Sequence, residues 1–147
     1  MSDSQVFLDI SVPMYAAGRP HACRDACVWI MTEIAEGRIV VAIDTEIIQE
    51  VLYRYGALQR WDIAVAMASD LLDLIPTVHP IRLVDVRLAL ELFERYAPQG
   101  VSARDVIHAA VMQNNDMIEI ISTDEHFDRI AGIRRLDPRE LYALGRR

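Results

Sequence analysis

The chain has 147 residues, of which 52% are hydrophobic and 25% charged, and its formal net charge is −7. This length suits one compact domain over residues 1–147, and the composition is far from that of a disordered chain. The negative charge argues against binding of nucleic acid by bulk positive charge, and the absence of lysine excludes every mechanism that needs one. No apolar run reaches the ~18 residues that span a bilayer, and no signal peptide is evident, so we expect a cytoplasmic protein without membrane contact.

Hydrophobic periodicity divides the chain into alternating strands and helices. The predicted strands cover 6–10, 39–43, 75–81, 117–121 and 134–136, of which 75–81 is weak and 134–136 is an edge strand. The predicted helices cover 22–36, 58–74, 82–96, 103–115 and, as a short helix, 125–130. Two more helices are predicted, one after the strand over 39–43 that carries Glu46 and Glu50, and a terminal one from Pro138. Gly37 is a helix stop, Asp44 or Thr45 can cap the helix that follows, and Ser102 can cap the helix over 103–115. The alternation predicts an α/β fold, a short parallel sheet flanked by helices on both faces.

Two aspartates follow predicted strands. Asp9 ends the first strand, and Asp124 comes shortly after the strand over 117–121. Ligands of open α/β sheets bind at the carboxyl ends of the strands, so these two carboxylates are candidates for one site. An aspartate after a strand is also a common helix N-cap, and for each residue alone that structural role explains the sequence as well.

Glu50 and Asp105 are two further candidate acids. Glu50 lies in the middle of a helix among apolar neighbours, which favours a buried or site-facing carboxylate, although an ion pair with Arg54 four residues later would also explain it. Asp105 lies in the first turn after Ser102, where the helix dipole alone favours an acid. His108 could be a base, but beside apolar residues a hydrogen-bonded core histidine is the more common case.

Converging carboxylates suit a hard divalent cation such as Mg²⁺ or Mn²⁺, which takes oxygen ligands and allows like charges to lie side by side. Such a cation can polarise a phosphodiester and supply a hydroxide for in-line attack. An acidic pocket can therefore engage a polyanion through its metal.

Cys23 and Cys27 are the only cysteines, four residues apart in a predicted helix. They are predicted to be packed free thiols. A zinc site with His21 is the alternative, and it is disfavoured because no second ligand cluster accompanies the three residues.

The segment from residue 129 onward is locally basic, with six arginines against two acids, Asp137 and Glu140. Three interpretations stay open for it: a strip that binds phosphates, a solvated face, or an ion-paired dimer surface.

Four segments resemble, in order, the four acidic motifs of PIN-domain nucleases. They are FLDISVPMYAAG, IIQEVLYRY, SARDVIHAAVMQNN and IISTDEHFDRIAGIRRLDP. The resemblance spans nearly the whole chain, and its last two motifs are the most specific. It is strongest to the small single-domain bacterial and archaeal proteins that include VapC-type toxins, the ribonuclease halves of toxin and antitoxin pairs.

The resemblance implies a metal-dependent endoribonuclease that hydrolyses RNA phosphodiester bonds and leaves 5′-phosphate and 3′-hydroxyl ends. It also implies a PIN-like three-layer α/β/α fold, a small antitoxin protein as partner, and a homodimer. Carried over by position, the catalytic residues and ligands of Mg²⁺ or Mn²⁺ are Asp9, Glu50, Asp105 and Asp124.

Three further residues take roles from the same resemblance. Asp128 would be an outlying acid of the cleft and a further metal ligand, and Ser11 and Thr123 match small polar positions that support the metal-binding carboxylates. One departure concerns the first motif, where the family often has a hydroxyl residue directly after the aspartate and this chain has Ile10.

Other classes of protein also place acids at strand ends. Haloacid-dehalogenase-like phosphatases and response-regulator receivers do so, but both need a lysine, which this chain lacks. Two alternatives remain: a catalytically weak PIN-like module that binds RNA or a protein partner, and an RNA-processing nuclease without an antitoxin. Affinity for Mn²⁺ that depends on Asp9 would distinguish a nuclease from a binding module.

Overall fold

The computed structural model describes residues 5–145 of the chain. The strands in this range are β1 (Val6–Leu8), β2 (Val41–Asp44), β3 (Thr77–His79), β4 (Glu119–Ile121) and β5 (Arg134–Leu136). The α-helices are α1 (Ser11–Ala17), α2 (Arg24–Ala35), α3 (Thr45–Ala57), α4 (Trp61–Leu74), α5 (Leu83–Tyr96), α6 (Ala103–Asn114) and α7 (Pro138–Gly145). Two 3₁₀ helices cover Ala97–Gln99 and Glu125–Arg129.

The five strands form one parallel sheet in the order β3-β2-β1-β4-β5. The chain steps from β1 to β2 to β3 in one direction and then crosses back over two strands to reach β4. With right-handed crossovers, this reversal puts α5 and α6 on the face opposite α1 to α4. The predicted three-layer α/β/α architecture is therefore confirmed, and the reversal occurs between β1 and β4 at the centre of the sheet.

The core is made by the central strands and the inward faces of the helices. Phe7, Ile43 and Ile120 on three neighbouring strands are fully buried, as are Val51 on α3 and Met112 on α6. Such two-sided burial is the expected environment of a short parallel strand and accounts for its continuous apolar run. No helix in the described part of the chain combines the length and the apolar character needed to cross a membrane.

The predicted elements are confirmed in type and order, and two short helices were not predicted. One is the 3₁₀ helix Ala97–Gln99, and the other is α1, which covers residues 11–17. Pro13 is the third residue of this helix, a position at which the backbone N–H has no partner within the helix, so proline is tolerated there. Val12 and Pro13 are buried, and α1 packs against α2.

Several predicted boundaries shift by a few residues. The helix predicted over 58–74 begins only at Trp61, because Gln59 has a φ of 56° and interrupts the helical backbone. The short helix predicted over 125–130 is of the 3₁₀ type. As predicted, the helix α2 stops just before Gly37, which has a φ of 77°. The predicted helix caps at Asp44 and Ser102 both form.

Candidate active site

Asp9 and Asp124 lie at the carboxyl ends of the two strands between which the topology reverses. β1 and β4 are hydrogen-bonded neighbours, and the backbone N–H of Asp9 donates to the carbonyl of Ile121 at 3.0 Å. A crevice opens at such a point in an α/β sheet because the adjoining connections leave toward opposite faces. The sheet topology therefore places both carboxylates at the edge of that crevice.

Ser122 links the two strand ends. Its hydroxyl donates to Oδ2 of Asp9 at 2.7 Å and accepts from the backbone N–H of Asp124 at 2.9 Å. Ser11, two residues after Asp9, forms a second link, since its hydroxyl accepts from the backbone N–H of Thr123 at 3.2 Å. Ser11 and Thr123 were predicted to support the carboxylates, whereas Ser122 was not predicted.

Two helices bring the other two acids to the same cleft. Glu50 projects from the second turn of α3, and Asp105 from the first turn of α6, where the Ser102 hydroxyl accepts from the Asp105 N–H. The structure thus brings the four predicted acids together. We call this cleft the acidic cleft; the residues that line it include Asp9, Ser11, Tyr15, Arg19, His21, Glu50, Arg54, Asp105, Thr123 and Asp124.

The carboxylates of the acidic cleft perturb one another. Burial, followed by the negative charges of Asp124 and Asp9, raises the pKa of Asp105 to about 7. Burial also raises the pKa of Asp9, against the charge of His108 and the hydrogen bonds from Ser122 and Ser11. Burial acts in the same direction at Asp124, but hydrogen bonds from the backbone and ring of His126 outweigh it and lower the pKa of Asp124.

His126 completes the group of possible cation ligands around Asp105 and Asp124. Its ring Nδ1 lies 2.7 Å from Oδ1 of Asp124, and one potential ligand atom each of Asp105, Asp124 and His126 lie within 4.8 Å of one another. It is the only group of this kind within residues 5–145. His126 was not predicted as a site residue, although its position two residues after Asp124 at the start of a short helix was a usable signal.

His108 is fully buried between two carboxylates. Its Nδ1 lies 2.8 Å from Oδ2 of Asp44 and its Nε2 lies 2.5 Å from Oε1 of Glu50. Burial alone would lower the pKa of His108, but the charges and hydrogen bonds of Asp44 and Glu50 raise it well above its usual value. His108 is thus a hydrogen-bonded core histidine, as the sequence suggested, and we call the three residues the carboxylate–histidine bridge.

Arginine side chains lie at the acidic cleft and next to it. Nη1 of Arg104 lies 3.8 Å from Oε2 of Glu50, and its guanidinium lies over the ring of Tyr53, 5.0 Å from the centroid. Among residues 5–145, Glu50 pairs with Arg104 and His108 and makes no ion pair with Arg54. The i+4 ion pair considered as an alternative role for Glu50 does not form.

Asp128 is not brought into the acidic cleft. Its two carboxylate oxygens accept from Nε and Nη2 of Arg135 at 3.0 and 3.2 Å, and half of its side chain is exposed. Arg135 also donates to the carbonyl of Ser122. This placement does not support the expected role of Asp128 as a metal ligand.

The cysteines have no part in the site. Both are free thiols, with Cys27 buried in the core, and burial raises the pKa of Cys27 to about 12. Nδ1 of His21 accepts from the backbone N–H of Cys23 at 3.1 Å, and the three residues form no metal-ligand group among those described. The prediction of packed free thiols is confirmed.

The acidic cleft fits a hard divalent cation. Its side chains offer carboxylate oxygens, the ligands that Mg²⁺ and Mn²⁺ prefer. Among residues 5–145, no arginine lies within ion-pair distance of Asp9, Asp105 or Asp124. Burial and then the negative charges of Asp124 and Asp9 raise the pKa of Asp105, no arginine offsets these effects, and a bound cation would offset them.

The fold and the site together define an α/β protein with an acidic crevice suited to metal-assisted chemistry. A family model described as the PIN domain matches residues 6–133. The chain is 31% identical to the ribonuclease VapC13 of Mycobacterium tuberculosis over 131 residues, 89% of this chain and 98% of that protein. This chain belongs to the PIN-domain family, and the predicted resemblance to VapC-type proteins is confirmed.

Solved structures agree with the assignment at the level of the fold. The crystal structure of M. tuberculosis VapC20, described as a sarcin-ricin loop cleaving toxin, has a TM-score of 0.69 at 17% identity and covers 88% of this chain and 99% of that chain. The structure of VapBC2 from Rickettsia felis, bound to a DNA fragment from their promoter, has a TM-score of 0.68 at 14% identity and covers 89% of this chain and 96% of that chain.

Proposed function

We propose that this protein is a metal-dependent endoribonuclease that hydrolyses RNA phosphodiester bonds and acts as the toxin of a toxin–antitoxin pair. The observation that carries this proposal is the convergence of Asp9, Glu50, Asp105 and Asp124 from four separate elements on one cleft. Curated relatives that cover most of the chain are named VapC ribonucleases, which supports the same substrate class.

Asp9, Asp105 and Asp124, with Glu50 beside them, would hold Mg²⁺ or Mn²⁺ as catalytic ligands. When bound, such a cation polarises a phosphodiester and lowers the pKa of water. The chain's own groups hold two of the ligands in place: Ser122 fixes Asp9, and His126 fixes Asp124. These two carboxylates are thereby oriented before the substrate arrives, which reduces the reorganisation needed during the reaction.

The rim of the acidic cleft supplies contacts for a polyanion. Arg19 and Arg54 line the cleft next to the acids, and Arg104 lies just beyond Glu50. Guanidinium groups bind phosphate oxygens in fixed geometry, and Tyr15 offers an aromatic face on which a base can stack. These residues would bind the RNA strand on both sides of the bond that is cut.

The proposal includes an antitoxin protein as partner, cytoplasmic action and a homodimer. A solved structure of similar fold is described as a toxin-antitoxin complex from Klebsiella pneumoniae, which supports the antitoxin. Exposed apolar side chains on α3, α4 and α5 support a protein interface, and examples are Leu52, Tyr53, Trp61, Leu83 and Leu90.

The proposal is tested by cleavage of a mixed pool of structured RNA with Mn²⁺. We expect wild type to cut, and we expect Asp9→Asn, Asp105→Asn and EDTA each to abolish cutting. Asp73→Asn, which removes an exposed carboxylate on α4, is the matched control and should cut like wild type. If wild type binds RNA without cutting it, a binding module replaces the nuclease assignment. If the site variants cut as well as wild type, the assigned site is wrong.

A further inference from the structure

The carboxylate–histidine bridge is buried directly behind the acidic cleft. We propose that His108 is a positioning residue for this site, which fixes the carboxylate of Glu50 and leaves one of its oxygens for a divalent cation. This inference rests on the proposed function and adds to its four carboxylates two further residues, Asp44 and His108.

The first support is the way Asp44 uses both of its oxygens. Oδ1 accepts from the backbone N–H of Ile47 at 3.1 Å and so caps α3, the helix that carries Glu50. Oδ2 lies 2.8 Å from Nδ1 of His108. Asp44 therefore fixes both the start of α3 and the orientation of the His108 ring. Glu50 is thus positioned through its own helix and through its hydrogen bond with His108.

The second support is that the two carboxylate oxygens of Glu50 have different partners. Oε1 lies 2.5 Å from Nε2 of His108, on the buried side. Oε2 lies 3.8 Å from Nη1 of Arg104, at the cleft. Because His108 occupies Oε1, Oε2 is the oxygen that a cation would reach, in place of its 3.8 Å ion pair with Arg104. Glu50 then contributes one ligand atom and not two.

The third support is the position of His108 on α6. It lies three residues after Asp105, so both side chains project from one face of the helix. The ring contacts Glu50 on α3 while Asp105 enters the cleft. His108 thus ties together the two helices that supply acids to the site and fixes the separation of those acids.

Burial makes this arrangement costly unless it is complete. Asp44 and His108 are 0% exposed and Glu50 is 4% exposed. A buried polar group that loses its partner is strongly unfavourable, so removal of one member leaves the others unsatisfied. Outer residues that orient metal ligands typically change metal affinity about 10–100-fold when replaced.

The test is calorimetric titration of Mn²⁺ into the full-length folded protein. His108→Gln keeps a donor for only one carboxylate, and Asp44→Asn keeps the cap on α3 but presents an amide N–H to the ring. We expect each to weaken Mn²⁺ binding about 10–100-fold and to lower kcat for RNA cleavage while KM for RNA stays nearly constant.

A double variant, Asp44→Asn with His108→Gln, restores a hydrogen-bonded chain from residue 44 to Glu50. It should bind Mn²⁺ more tightly than the His108→Gln variant does, since the two positions act as a unit. It also provides a folded comparison if His108→Gln alone does not fold.

Asp85→Asn is the control for loss of stability. Asp85 is likewise fully buried and caps α5, where it accepts from the Arg82 N–H and from Asn114, but it is not part of the acidic cleft. It should lower the unfolding temperature and leave Mn²⁺ affinity unchanged.

Two outcomes would overturn the inference, and they are distinguishable. If wild type binds Mn²⁺ and the folded Asp44 and His108 variants bind it equally well, His108 has only a packing role and the proposed nuclease function stands. If wild type does not bind Mn²⁺, the proposed function fails and the positioning role fails with it.

Discussion

Ser122 donates its hydroxyl hydrogen to Asp9 at 2.7 Å, so a side chain that follows β4 orients the carboxylate that follows β1. The same oxygen accepts from the backbone N–H of Asp124. One buried hydroxyl thereby joins two acids that are more than a hundred residues apart in the sequence.

Replacement of Ser122 by alanine tests this link. Ser122→Ala leaves the buried Asp9 carboxylate without its donor and the Asp124 N–H without its acceptor. We expect the free energy of unfolding to fall by about 2 kcal/mol and RNA cleavage to decrease. Urea denaturation measures the stability. Ser69→Ala on the exposed face of α4 is the control, and an equal effect of the two substitutions would contradict the link.

The raised pKa of Asp105 predicts a dependence of stability on pH in the metal-free protein. Its pKa rises from 3.8 to about 7 on folding, so the folded state binds the proton more tightly than the unfolded state. The stabilisation from this proton is complete below the unfolded pKa, decreases as the pH rises between the two values, and is lost above about 7.

Asp105→Asn cannot titrate and should not lose stability in this window. We expect its unfolding temperature to exceed that of wild type at about pH 8 and to differ less at about pH 4, as measured by circular dichroism in EDTA. Mn²⁺ should stabilise wild type more than the variant. A constant difference between the two proteins at every pH would count against a raised pKa of Asp105 in the folded protein.

The two thiols should react very differently with a maleimide near neutral pH. Cys23 is only partly buried, whereas Cys27 is buried with a pKa raised to about 12, so little of it is thiolate. We expect one label per native chain, measured by mass spectrometry, and two after denaturation. Cys23→Ser should abolish labelling of the native protein. Two rapid labels on native wild type would show that the thiol of Cys27 is accessible in the folded protein.

Asp128→Asn separates the structural role of Asp128 from metal binding. The carboxylate pairs with Arg135 on a half-exposed surface, so the substitution should cost about 1 kcal/mol or less. We expect Mn²⁺ affinity to stay at the wild-type value, in contrast to Asp124→Asn, which should weaken it strongly. Calorimetry with both variants decides between the two roles. An equal loss of Mn²⁺ affinity in Asp128→Asn would show that Asp128 is a metal ligand.

Local sequence signals were sufficient for most of the fold. Apolar runs located the strands, and Gly37, Asp44 and Ser102 marked helix boundaries correctly, because caps and stops depend on neighbouring residues. The helix α1 was not predicted, because it is short and contains Pro13, which local rules treat as a helix breaker.

The residues that support the site carboxylates could not be predicted from local sequence signals. The contacts of His108 join it to Asp44 and Glu50, at sequence separations of 64 and 58 residues. No local pattern encodes such contacts, because they depend on how α3 and α6 meet in the folded protein. The choice between Ser122 and Thr123 depends on which hydroxyl the pleat of β4 turns inward, and that register was set only by pairing with β1.

The pairing of β1 with β4 also has a consequence for biosynthesis. A ribosome makes β1, β2, β3 and their helices before it reaches residues 119–121, so the central strand lacks its second neighbour until these residues have been made. Asp124 follows that strand, and a nascent chain that stops before it therefore has no complete acidic cleft. The four carboxylates can converge only after residue 124 has left the ribosome, near the end of the segment 6–133 that matches the PIN domain.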